Sequence, residues 1–351
     1  MIPNVNELTA RYPTDHVITD KHGNPSVMVY IPRFTYADVV EGGEPYPHPA
    51  FIVGKNLVDG IYISKFQNTL INGIACSLPH RDPAVCIDFD AATAACEQKG
   101  DGWHLMNVME WGAIALWCLK NGFAPFGNND AGKDYRETDV TAEISVQDEA
   151  RGICRVATGT GPVTWSHNGR ADGIWDLNGN VWEWNGGFRL VRGELQFRFP
   201  RLHGTADLSD SWTWYALRAS TGNFTVPDGQ GTTEDSVKLD HDGERFFYTS
   251  HPLCSAVPHA RHCPFAHLYA DDTLSPNAVR MLRNFALLPV CESPMYNGVA
   301  FYANNGADER MLFRGGRWGQ KENAGVFKSC MDDPRTYTGE AVGFRAAYYK
   351  I

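Results

Sequence analysis

The chain has 351 residues, enough for a full core in one large domain or two ordinary ones. Apolar residues make up 43% and charged residues 21%, which excludes a disordered chain. The formal charge of -10, with no concentration of Lys and Arg, argues against a nucleic-acid partner.

The first residues, MIPNVNELTARYP, have neither a basic start nor an apolar run. Sec-type export is therefore not expected, and the chain should be made in the cytoplasm, from which it could still leave in a particle. No run of eighteen apolar residues occurs, so no membrane span is expected. Nine cysteines without framework spacing read as mostly buried thiols made in a reducing compartment.

Residues 1–45 carry one good strand, Ser26 to Ile31, followed by the turn-rich EGGEPYPHP. They read as a lead-in or small β element available for an assembly contact. GIYISKF, Gly60 to Phe66, alternates as a strand. Asp88 to Lys99 reads as a helix closed by Gly100. A second helix begins at Asn107, with Glu110 three residues on as in a capping box. Val108, Trp111, Ala115, Cys118 and Leu119 then fall on one face until Asn121-Gly122 ends it. A strand is expected near Ile153 to Ala157, and residues 173–220 alternate in the manner of strands. Residues 221–280 are polar and read as an insertion, and FALLP at 285–289 is a short apolar run. The expected fold is α+β: two helices, short twisted antiparallel strands and long irregular loops that carry the function.

The tail from Phe313 to Ala347 has no regular period. Apolar residues (Trp318, Ala324, Val326, Phe327, Val342, Phe344) are interleaved with long or polar ones. Gly315 and Gly316 permit a tight backbone. Arg and Tyr in such a stretch are the side chains that most often carry interface energy. The segments GWHLMNVMEWGAIALWCLKNG (102–122), GIWDLNGNVWEWNGG (173–187) and the pair FRGGRW and GFRAAYY resemble the formylglycine-generating-enzyme type of C-type lectin fold. RGGRW, then NAGVF, then GFRAA resembles the variable region of target proteins diversified by retroelements, such as phage receptor-binding tips and bacterial surface ligands.

The resemblance implies a C-type lectin-like domain over residues 46–351, with a variable ligand-binding region at 313–347. Its replaceable positions would be Arg317, Gly319, Gln320, Glu322, Asn323, Lys328, Cys330, Asp332, Asp333, Arg335, Tyr337 and Glu340. Its frame would be Gly315, Gly316, Trp318, Ala324, Gly325, Phe327, Gly343, Phe344 and Arg345. Lys321 departs from the pattern, standing where many such proteins carry glycine. The function implied is non-catalytic binding of a protein or glycan receptor, strengthened by several copies in a homo-oligomer.

The alternatives are an oxidative enzyme of the same fold, or a structural component of a phage particle. Against the enzyme, Cys291 and Cys330 are isolated, whereas the related enzymes use a cysteine pair. No cofactor is required by this reading, but two metal sites suggest themselves. Asn180 and Glu183, with Asp176 nearby, could offer oxygens to a structural calcium ion. Cys254, His259, Cys263 and His267 could staple a long insertion through zinc, although their spacing fits no common pattern.

Overall fold

The computed structural model describes residues 3–199 and 213–350. Among the described residues two large sheets, three two-stranded ones and a few helices make a mixed α and β architecture built mostly of short strands. The smaller of the two large sheets has five strands in the order His16–Thr19, Pro25–Pro32, Gly60–Ser64, Ala346–Tyr348 and Trp103–Leu105. All its neighbours run antiparallel. The N-terminal stretch thus supplies its outer pair of strands, and the C-terminal strand lies inside it. Strands from the first and last parts of the described chain are held in one layer.

The larger sheet has twelve strands. Its middle runs Ala300–Ala303, Gly325–Met331, Arg310–Gly315, Trp182–Val191 and Glu194–Phe197. The polar region 221–280, expected as an insertion, extends this sheet. Lys238–His241 and Phe246–Thr249 pair with each other, and Glu194 aligns with Lys238. Val237, Leu239, Phe246 and Tyr248 from this region are all within the main core. The rest of the expected strands in 173–220 follow as Trp182–Val191, Glu194–Phe197 and Tyr215–Leu217, while residues 200–212 lie outside the described part.

The helix Val108–Lys120 forms as its sequence dictates. The Asn107 side chain accepts from the amides of Met109 and Glu110, and Glu110 accepts from the Asn107 amide at 2.8 Å. Val108, Trp111, Ala115 and Cys118 of its apolar stripe are buried in the main core, and Leu119 packs against it half-buried. Gly112 sits mid-helix because a Cβ there would lie 2.0 Å from the carbonyl oxygen of Asn284. That carbonyl ends a further helix, Pro276–Asn284, capped by Ser275. The expected Asp88 helix is Phe89–Glu97, capped by the Asp88 side chain.

Candidate functional site

The tail is fixed at its two glycine-rich ends. Gly315 and Gly316 have φ of +86° and +96°, a backbone that only glycine adopts without strain. Arg314 just before them is fully buried and donates to the carbonyls of Phe285 and Ala286 and to Ser329 Oγ. Burial pushes its guanidinium down to about 9. Trp111, on the helix, donates Nε1–H to the Val326 carbonyl at 2.7 Å, docking the helix onto the tail. Trp318 is buried and donates Nε1–H to the Gly152 carbonyl at 2.7 Å. Phe327 packs between Phe265 and Tyr296. At the far end, Arg345 lies fully buried against Glu183, with Nε and Nη2 donating at 2.8 and 2.7 Å. It also reaches the carbonyls of Ser64, Lys65 and Trp175. Every expected frame position is buried.

Between these fixed points the chain comes to the surface. Lys321–Asn323 is a single 3-10 turn with no buried residue. Gly319, Glu322 and Asn323 are exposed, and Arg317 and Gln320 are half-buried. Lys321 takes φ of +46°, so its backbone holds the left-handed conformation that glycine adopts most readily. Its amide donates to the Asn129 carbonyl at 2.9 Å, which helps hold that geometry. Arg317 stands over the Trp318 ring, and Tyr337, 37% exposed, packs edge-on to Phe313.

The remaining expected positions divide. Asp333 and Glu340 are half-buried. Arg335 is tied to Glu309 and Asp90, and Glu340 pairs with Arg151, so each already has an internal partner. Lys328 and Cys330 were expected to face solvent and do not: they are 0% and 8% exposed. Both lie on one face of Gly325–Met331, an interior strand between Ala300–Ala303 and Arg310–Gly315, and aromatic side chains from neighbouring strands cover that face.

The Lys328 ammonium faces the rings of Tyr302 at 4.5 Å and Trp182 at 5.3 Å, with no hydrogen-bond partner among the described residues. Its burial lowers its pKa to about 8, and burial likewise raises the Asp332 carboxyl to about 6. Burial also keeps the Cys330 thiol protonated. The aromatic partners of Lys328 come from other strands and had no signal in the tail itself. Below pH 8 the folded state holds the lysine charged and poorly solvated. Above it the folded state releases the proton while the unfolded chain keeps it, so stability rises with pH towards the ordinary lysine range. Lys328→Met is therefore expected to stabilise the protein at pH 7, by at most roughly 3 kcal/mol, since each tenfold loss of proton affinity on burial is worth about 1.4 kcal/mol. The gain should shrink above pH 8, which urea melts at pH 7 and 9.5 check.

The Asn180 and Glu183 oxygens considered for calcium are occupied by protein partners, whereas Asp176 Oδ1 has none among the described residues. Asn180 Oδ1 accepts from the Val156 amide and from Asn128 Nδ2, and its amide donates to Gln67 and the Val156 carbonyl. Glu183 is paired with Arg345 and accepts from Gln67. Asp176 is buried, which raises its carboxyl to about 6. Of the four zinc candidates, Cys263 faces the core, whereas Cys254, His259 and His267 are exposed. No group of three or more His, Cys, Asp or Glu side chains among the described residues is placed to hold a metal ion. Nor is any described helix long and apolar enough to cross a membrane.

No family model and no curated protein matches the chain. Among solved structures it is similar to that of PvdO from Pseudomonas aeruginosa, at 14% identity over 95% of this chain and 97% of the other, with a TM-score of 0.34. It is also similar to Treponema denticola variable protein 1, at 12% identity over 96% of this chain and 99% of the other, with a TM-score of 0.35. Likeness at this level is coarse and assigns no residue a role.

Proposed function

We propose that this chain is a non-catalytic binding protein: a C-type lectin-like scaffold that presents replaceable side chains from its C-terminal tail to a receptor. One observation carries the reading. The frame positions of the tail are all buried, while Arg317, Gly319, Gln320, Glu322, Asn323 and Tyr337 between them are exposed or half-exposed. Side chains at such positions can change without disturbing the core, and a preordered backbone spares the entropy of ordering a loop on binding. The surface spans both signs of charge and one aromatic ring, which suits a protein or glycan receptor. A phage particle or a cell surface is the setting such a surface fits. Repeated copies would raise modest single-site affinity, and the outermost strand His16–Thr19 offers an edge for their assembly.

An oxidative cysteine site has less support. A buried thiol held protonated is a poor nucleophile, and Cys330 is of that kind.

The DNA adjoining the gene tests the origin of the surface. We expect a near-copy of the stretch encoding residues 313–347, differing only where the copy carries adenine, beside a reverse-transcriptase gene. If that DNA holds no such copy, diversification by a retroelement is wrong, and the surface has a fixed receptor instead.

A further inference from the structure

A cleft of about 670 Å³ opens away from the tail, beside the Pro25–Pro32 strand, the end of the Val108–Lys120 helix and the 167–172 loop. That volume is within the range of small-molecule sites, roughly 300–1,000 Å³. Tyr30, Phe34 and Trp117 give it aromatic walls. Two polar groups line it in fixed states. Asp15 has a side chain 2% exposed, and its Oδ2 receives the Lys65 ammonium at 2.8 Å. Its Oδ1 is buried without a hydrogen-bond partner. His167 is 4% exposed, and its Nδ1 accepts from the Ile174 amide at 2.8 Å. Burial holds the imidazole neutral, its pKa lowered to about 3, so the proton sits on Nε2. Its ring packs against Trp117 with centroids 5.0 Å apart.

The cleft thus combines an acceptor lacking a donor, a donor nitrogen of set tautomer, and aromatic faces. Its charged lining is largely compensated: Asp15 by Lys65, Asp172 by Arg170, and Arg33 by Asp59. Such a lining, with Asp15, Asp38 and Asp172 set against Arg33 and Lys120, does not concentrate charge for an anion or a polycation. Hydroxyl groups both donate and accept, so one polyhydroxylated ring can serve Asp15 and His167 together. Its C–H face can lie on an aromatic wall, burying apolar area there.

We propose that this cleft is a second binding site, for a neutral saccharide of one or two rings, separate from the tail surface. His167 would give its Nε2–H to one hydroxyl, Asp15 Oδ1 would accept from another on turning towards the cleft, and Tyr30 and Trp117 would take its ring faces.

Saturation-transfer NMR and calorimetry on the full chain test this with glucose, galactose, mannose, N-acetylglucosamine and their β-linked disaccharides. At least one of these is expected to bind with a dissociation constant of about 1 mM or below. Tyr30→Ala should weaken it by about tenfold or more, equivalent to about 1.4 kcal/mol. Asn121→Arg, at an exposed rim position, should block the mouth and do the same while the melting temperature holds. Arg317→Ala with Tyr337→Ala, in the tail, should leave it unchanged. The proposal is overturned if no sugar in the panel binds. It is equally overturned if binding survives both cleft variants, or if it follows the tail variants.

Discussion

Arg345→Met is expected to destabilise the fold by about 3–5 kcal/mol, read as a lowered urea midpoint at unchanged slope. The side chain is fully buried, and its guanidinium neutralises Glu183, which is 2% exposed. Removing the cation strands a buried carboxylate. It also takes the guanidinium donors away from the carbonyls of Ser64, Lys65 and Trp175, of which the Lys65 carbonyl keeps the Trp175 amide. These carbonyls belong to the end of the Gly60–Ser64 strand and to the loop before Trp182–Val191, so a single residue ties the small sheet to the large one. The pair should show strong coupling. Glu183→Leu combined with Arg345→Met removes both charges and should be less damaging than Arg345→Met alone. A double variant as unstable as the sum of the singles would show that the ion pair is not the unit that matters.

Trp318→Ala is the second large effect, about 3–5 kcal/mol of lost stability. The indole fills a small core with Ile153, Cys154 and Val181, and its Nε1–H bonds the Gly152 carbonyl. Deleting it opens a cavity under the tail and frees the 150–154 turn from the Lys321 loop. The neighbouring Arg317→Ala should change stability by less than about 0.5 kcal/mol, as surface substitutions do. Two adjacent residues with opposite behaviour would mark the line between frame and surface. Equal losses would erase it.

Much of this arrangement was legible in the sequence because it is written locally. The Asn107 cap, the stripe from Val108 to Cys118 and the strand at Ser26 to Ile31 each carry their own pattern within a few residues. Part of the frame, Gly315, Gly316, Trp318 and Phe327, was legible for a similar reason, since these residue types have few uses there besides tight backbone and burial, whereas Arg345 was expected only from the resemblance.

What was not legible depends on distant partners. Lys328 and Cys330 read as surface residues because nothing near them in sequence announces strands on both sides. Residues 221–280 read as an insertion because their polar average hides Leu239, Phe246 and Tyr248, which bury only once Glu194 and Lys238 pair. Ser275-Pro276 was a helix-start signal that the surrounding polarity masked. Asn180 and Glu183 looked like cation ligands until Gln67, Asn128 and Arg345, far apart in sequence, closed around them.

The most direct test of the central claim is a displayed library randomised together at Arg317, Gly319, Gln320, Glu322, Asn323 and Tyr337, selected against an unrelated protein such as hen lysozyme. The account predicts that most members fold, with melting temperatures within a few degrees of the parent (surface changes cost about 0.5 kcal/mol each or less). It also predicts that selection yields binders whose substitutions lie at those positions. A library that is mostly unfolded, or one that folds yet never yields a binder, would contradict it.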